Sequence, residues 1–137
     1  MSARGVRTKS TTLPQARAYL SKSEEYLAAA ERELDEGLNI AATSLAIHAG
    51  INAADAVCGV RLGKRSSGQN HEEVLRLLDT AGTDGKALAR ELGRLLQLKT
   101  KAEYDHVDVS KADADRAVER ARRSVAIARR VVGAQTE

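Results

Sequence analysis

The sequence predicts an all-α fold, an up-and-down bundle of four or five helices. Ala, Leu, Arg and Glu are the most abundant of its 137 residues, Pro occurs once, and Phe and Trp are absent, which favours helices over a sandwich core. Apolar residues recur at helical spacing, and capping residues and glycines divide the chain into segments of helix length. A chain of this length can bury one core without disulfides or metals, so we expect a single bundle over residues 11–133.

The first segment, residues 1–10, has no periodicity and is predicted to be a flexible basic tail. A capping pattern from Thr12 to Gln15, with Pro14 in the first turn, predicts the start of the first helix, and Gly37 predicts its end. The formal net charge is +3, and the tail alone supplies three cations without an acid. The body is therefore balanced in charge, which argues against a general nucleic-acid coat.

The second helix is predicted over residues 39–62, and its apolar character on nearly every face predicts that it is the central element. Residues 63–70 form a loop by composition, and Asn70 is placed to cap a short third helix. A break at residues 81–85 separates it from a fourth helix over residues 86–99.

The last helix follows a polar connector, residues 100–109, and its predicted limits are an N-cap at Ser110 and a stop at Gly133. Cys58 is the only cysteine, so we expect a buried thiol and no internal disulfide. The start of the chain has no apolar segment of the kind that directs export, and the apolar second helix carries polar residues. The sequence thus predicts a cytoplasmic protein without a membrane span.

Three polar residues, His48, Asn52 and Asp55, share one stripe of the apolar second helix because they are four and then three residues apart. A buried carboxylate needs partners, so Asp55 is expected to pair with His48, with a Tyr or with an Arg of a facing helix. Two interpretations remain open here. The stripe is either a satisfied polar network in the core or the polar floor of a cleft.

A second charged feature lies on the last helix, where Arg116, Arg120 and Arg123 share a face. Such a face could follow the backbone of RNA. The alternative is a solvated face with ion pairs one turn apart, such as Glu119 with Arg123.

Four stretches of the chain together resemble the HEPN domain, a small helical bundle. They read SKSEEYLAAAEREL, AIHAGINAADAVCGVRLGKRSSGQNH, KAEYD and VSKADADRAVERARRSVAIARRVV. The likeness covers about residues 9–132. It implies a bundle of four or five helices that commonly forms a homodimer and is often encoded beside a minimal nucleotidyltransferase, as a toxin and antitoxin pair. It also implies RNA as a partner, since many members are endoribonucleases that need no metal.

The motif of those endoribonucleases is an Arg, four to six residues and then a His, near the start of the last long helix. At that place this chain has Lys99 and, after six residues, His106. Lys is a point charge, whereas Arg offers a planar fork to phosphate, so the exchange is not conservative. The element around Tyr104 also resembles a branch of the family in which an Ala-Asp-Tyr element and an Arg replace the ribonuclease motif. The resemblance implies Lys99, Tyr104 and His106 as candidate catalytic residues.

The chemistry expected there is acid or base catalysis by His106, because an unperturbed histidine titrates near neutral pH, and phosphate binding by Lys99. The alternative is a solvated histidine in an acidic connector. A literal match to the motif occurs elsewhere, from Arg65 to His71, between the second and third helices. There the competing interpretation is an ordinary histidine in the first turn of a helix.

Two functional hypotheses follow from the residues and the resemblance. The first is an RNA-binding protein or endoribonuclease of toxin and antitoxin or defence type. The second is a catalytically silent module that acts through its dimer or partner surface. One Cys and three scattered His do not form a zinc motif, so we expect neither a metal nor another cofactor.

Overall fold

The computed structural model describes residues 5–68, 70–103 and 108–135, and it confirms the predicted all-α bundle. This part of the chain holds five helices of at least nine residues, one helix of five residues and a two-stranded sheet. In chain order the elements are β1 (Thr8–Ser10), α1 (Leu13–Asp35), α2 (Asn39–Leu62), β2 (Lys64–Ser66), α3 (His71–Asp79), α4 (Gly82–Gln97), α5 (Lys99–Glu103) and α6 (Lys111–Gly133).

The start of α1 is fixed by the capping box that the sequence predicts. Thr12 Oγ1 accepts a hydrogen bond from the backbone N–H of Gln15 at 3.2 Å, and Gln15 Oε1 accepts from the backbone N–H of Thr12 at 3.0 Å. At the other end, Gly37 takes a φ of +78° in the tight turn to α2. This short turn makes α1 and α2 antiparallel neighbours.

Helix α2 is the central element, as predicted, and packs against α1, α4 and α6. Of its 24 residues, 12 are buried. By length and composition it could cross a membrane, yet 56% of its most apolar stretch of 18 residues is buried within the bundle. That burial is what the central helix of a bundle requires, so its apolar character is explained by packing.

Helix α6 begins at the predicted cap, where Ser110 Oγ accepts a hydrogen bond from the backbone N–H of Asp113 at 3.0 Å. Its buried face carries many small residues, among them Ala114, Ala117 and Ala121. Because these side chains are short, α6 can lie close to α1 and α2. Salt bridges from Arg122 to Glu31 at 2.7 Å and from Arg129 to Glu24 at 2.6 Å also join α6 to α1.

An antiparallel pair of strands is the first departure from the sequence prediction. Residues 8–10 were expected to belong to the tail and residues 64–66 to a loop, but they pair as antiparallel strands. Arg7 also donates from its backbone and its guanidinium to the buried carboxylate of Glu73, at 3.0 and 3.1 Å. These bonds fix the segment before α1 across the end of α2. They involve partners far apart in sequence, which local patterns do not reveal.

Helices α4 and α5 are the second departure. The predicted break at residues 81–85 is shorter than expected, because α4 already begins at Gly82, whose φ is +79°. Gly85 has no side chain, and an added Cβ would collide with the backbone carbonyl of Leu78. The predicted polar connector also contains α5, which is short and buries Ala102.

Candidate functional site

The end of the bundle where α5 meets the start of α6 is called the connector end below. Asp113 is its central acid. Its carboxylate accepts hydrogen bonds from Lys101 Nζ at 2.9 Å and from the Arg116 guanidinium at 2.6 Å. The bond from Lys101, followed by that from Arg116, lowers the pKa of Asp113 below its usual value. The charge of Lys101 is thus balanced by a neighbouring carboxylate and is not available to hold a phosphate by itself.

Both sides of the connector are fixed by apolar contacts. Ala102 of α5, Val109 and Ala114 form a small buried cluster against Leu34 of α1. Beside it lies a largely apolar groove of about 590 Å³ between the turn after α1 and the connector. Its lining includes Leu38, Ile40, Ala102 and Val109, and Leu38 and Ile40 are among the most exposed large apolar side chains.

Of the three candidate catalytic residues, Lys99 is the first residue of α5 and is half-buried. Tyr104 and His106 lie outside the described residues. The structure therefore places Lys99 directly before the connector. It leaves the roles of Lys99, Tyr104 and His106 as predictions.

Arg65 and His71, the two residues of the literal motif match, lie in different surroundings. The Arg65 guanidinium lies over the Tyr19 ring of α1, 5.5 Å from the centroid, and donates to the backbone carbonyl of Ser66 at 3.1 Å. His71 is the first residue of α3, directly after the Asn70 cap, as the competing interpretation expects. Arg65 lines a surface groove at this end of the bundle, and His71 is not part of that lining.

The polar stripe of α2 is only partly buried and lies beside α1. His48 is exposed and stacks on Tyr26, with 5.2 Å between the ring centroids. Asn52 is half-buried and donates from Nδ2 to the backbone carbonyl of His48 at 2.9 Å. The helix turns these residues outward because the buried faces of α2 are taken by Ala, Val and Ile side chains.

Asp55 is the most perturbed residue of that stripe. It is half-buried, and burial raises the pKa of its carboxyl to about 7, with the positive charge of Arg65 acting in the opposite direction. Among the described residues Asp55 forms no ion pair, so the expected partners His48 and Tyr do not bind it. Arg65 acts on it through space.

The arginine face of α6 is largely neutralised by acids. Arg120 contacts Glu91 of α4 at 3.0 Å, and Arg123 contacts Glu119 at 3.3 Å in the predicted pair one turn apart. Arg116 contacts Asp113, as described above. This pairing favours the ion-paired interpretation of Arg116, Arg120 and Arg123 over that of an RNA track.

Sequence reasoning did not select Tyr19 and Lys22, which line the groove with Arg65. Their spacing places them on one face of α1, but only the pairing of β1 with β2 brings Lys9 and Arg65 to the same place. Within residues 5–68, 70–103 and 108–135, no group of three or more His, Cys, Asp or Glu residues could hold a metal ion.

Comparison with protein families gives one result. The family model described as HEPN domain matches residues 16–131, which include nearly all of the helical bundle. Comparison with curated proteins gives no match.

Proposed function

The chain belongs to the HEPN domain family, and we propose that it acts on RNA as a metal-independent endoribonuclease of toxin and antitoxin or defence type. The observation that carries the proposal is the position of the connector. Residues 99–103 and 108–110 flank the start of the last long helix, where the HEPN resemblance expects the Arg and His motif. Apolar contacts of Ala102 and Val109 hold both sides of that segment on the bundle.

The proposed reaction requires a base, an acid and a positive charge near phosphorus, and it requires no metal. A base takes the proton from the 2′-hydroxyl, the 2′-oxygen attacks phosphorus, and an acid protonates the departing 5′-oxygen as its bond to phosphorus breaks. The products are a 2′,3′-cyclic phosphate and a 5′-hydroxyl. His106 performs one of the proton transfers, Lys99 stabilises the charge on the phosphorane, and Tyr104 lies between them in sequence.

We also propose that the site is completed by a second copy of the chain, in a homodimer. The exposed side chains of Leu38 and Ile40 beside the connector support this proposal, because a partner would remove their apolar surface from water. A minimal nucleotidyltransferase is the proposed antitoxin, and the cytoplasm is the proposed location. Light scattering at tens of micromolar tests the dimer, and a monomer at that concentration would contradict it.

A second candidate function is a catalytically silent module that works through its dimer or partner surface. Two observations favour it. Lys99 stands where the family motif has Arg, and a Lys cannot reproduce the fork of a guanidinium on phosphate. The next cation, Lys101, is already bound to Asp113.

One assay separates the two functions. Labelled RNA is incubated in EDTA with the wild type and with His106→Ala, His71→Ala and His48→Ala variants. The endoribonuclease proposal expects cleavage that only His106→Ala abolishes, with His48→Ala as the matched control of an exposed histidine. If only His71→Ala abolished cleavage, the site would be at Arg65 and His71. If no sample cleaved RNA, the result would support the catalytically silent module.

A further inference from the structure

A second surface feature lies near the other end of α2 from the connector, beside the strands that precede α1 and follow α2. It is a groove of about 300 Å³ between the first half of α1 and the paired strands, called the hairpin-end groove below. Its lining consists of Lys9, Ser10, Gln15, Ala18, Tyr19, Lys22 and Arg65.

Three of these seven residues are cationic and none is acidic. In the strand register Lys9 lies directly opposite Arg65, so the two side chains are neighbours on one face of the sheet. Like charges in directly opposite positions destabilise a strand pair. Lys22 adds a third positive charge, with Nζ 5.9 Å from the centroid of the Tyr19 ring, on which Arg65 also lies. An anion between these groups would relieve their repulsion.

No carboxylate of the described chain neutralises these cations directly. Lys9 and Lys22 form no salt bridge there, although twelve contacts of this kind occur elsewhere in the same residues. Arg65 is influenced by Asp55 only through space. The groove therefore differs from the arginine face of α6, where each cation has an acid beside it.

We propose that the hairpin-end groove binds backbone phosphates of single-stranded RNA. This inference rests on the proposed function, to which it adds a second contact surface remote from the connector. The groove is acid-free, open to solvent and lined by two lysines and an arginine, the groups that bind phosphate through charge-assisted hydrogen bonds. The Arg65 guanidinium already lies on the Tyr19 ring, so phosphate binding in this groove depends on charge and not on base stacking.

The test uses an RNA that cannot be cleaved. Anisotropy titrations measure the affinity of a labelled single-stranded 2′-O-methyl RNA, which keeps its phosphates and lacks the attacking hydroxyl. The Lys9→Gln/Lys22→Gln variant is compared with Lys86→Gln/Arg90→Gln, which removes the same charge from two exposed cations of α4. Arg65 is left unchanged because it packs on Tyr19, and circular dichroism checks that both variants fold.

We expect the groove variant to bind about tenfold more weakly than the wild type, with the control variant nearly unchanged. The slope of log affinity against log salt should fall by about 1.4, since each phosphate contact on a single strand contributes about 0.7. Equal losses in the two variants, or no RNA binding by the wild type at low salt, would overturn the proposal. The proposal would also be overturned if the groove variant bound a free mononucleotide more weakly but bound the single-stranded RNA normally.

Failure of this proposal is distinguishable from failure of the proposed function. The binding assay does not require chemistry, so a silent connector leaves its outcome unchanged. Conversely, cleavage in EDTA that depends on His106 would stand even if the groove variant bound RNA normally.

Discussion

Cationic side chains lie near both ends of α2, but they have neighbouring carboxylates at one end only. At the connector end, Lys101 and Arg116 share the carboxylate of Asp113. At the hairpin end, Lys9 and Lys22 lie in a groove without an acidic lining residue. The number of positive charges in a segment therefore does not indicate how many can bind a phosphate. The positions of the acids decide this, and those positions are set by the fold.

The pKa values of two aspartates, Asp113 and Asp55, are shifted in opposite directions. Cationic partners lower the pKa of Asp113, whereas burial raises the pKa of Asp55 to about 7. Replacing each by Asn, which resembles the neutral acid in shape, should therefore change the free energy of unfolding in opposite directions at neutral to alkaline pH.

The largest expected effect is that of Asp55→Asn. The folded protein holds a proton on Asp55 up to about pH 7, whereas the unfolded chain releases it near the ordinary value of 3.8. The wild type therefore loses stability through this group as the pH rises from about 4 to 7. At pH 8 the Asn variant should be more stable by about 2 to 4 kcal/mol, as measured by urea unfolding.

The difference should vanish near pH 3, where Asp55 is neutral in both the folded and the unfolded chain. Asp35→Asn, which removes an exposed carboxylate at the end of α1, is the control for a general change in net charge. A stability gain for Asp55→Asn that is equal at pH 3 and pH 8 would contradict the burial of its charge.

The next effect concerns the packing that positions the hairpin end. A Cβ added to Gly59 would lie 2.8 Å from Thr11 Cγ2 and 3.0 Å from Ala16 Cβ, so α1 would have to move away from α2. Gly59→Ala should lower the free energy of unfolding by about 1 to 3 kcal/mol. Thermal denaturation followed by circular dichroism measures it.

Gly93→Ala is the matched control, because the nearest atom to its added Cβ is Leu75 Cδ1 at 4.0 Å. In the interior of α4, Ala should be favoured over Gly by up to about 1 kcal/mol. Equal destabilisation in both variants would show that the Gly59 contact does not limit the approach of the two helices.

The smallest effect is expected for Asp113→Asn at the connector end. The variant loses the charge that holds Lys101 and Arg116, and we expect it to be less stable by about 1 to 2 kcal/mol at pH 7. Asp113 stabilises the fold at pH values above 3.8, the pKa of its carboxyl in the unfolded chain. This stabilisation is lost as the pH falls through the lower pKa of the folded protein. The difference from the wild type should therefore narrow as the pH falls below 3.8, and a difference that does not change with pH would contradict the ion-pair origin.

Much of the fold was predictable because its signals are local. Three helices begin directly after a capping residue, namely Thr12, Asn70 and Ser110. The apolar run that marks α2 also lies within a single helix. The strands β1 and β2 were not predictable, since each has three polar residues without alternation and they pair across more than fifty residues of chain. The start of α4 was missed because glycines usually break helices.

The candidate site was predictable only in part. The family resemblance indicates the connector, but the neutralisation of Lys101 by Asp113 depends on the packing of α5 against α6. The spacing of His48, Asn52 and Asp55 correctly places them on one stripe, yet spacing alone does not tell which side of a central helix faces solvent. The groove around Lys9 and Arg65 required the strand register, which depends on tertiary structure.

We propose that RNA is cleaved at the connector end and bound at the hairpin end. The test is steady-state cleavage of labelled RNA in EDTA, measured for the wild type, His106→Ala and Lys9→Gln/Lys22→Gln. We expect His106→Ala to lower kcat by at least about 100-fold, and the lysine variant to raise KM about tenfold with kcat unchanged. Wild-type kcat in His106→Ala, or an unchanged KM in the lysine variant, would contradict it.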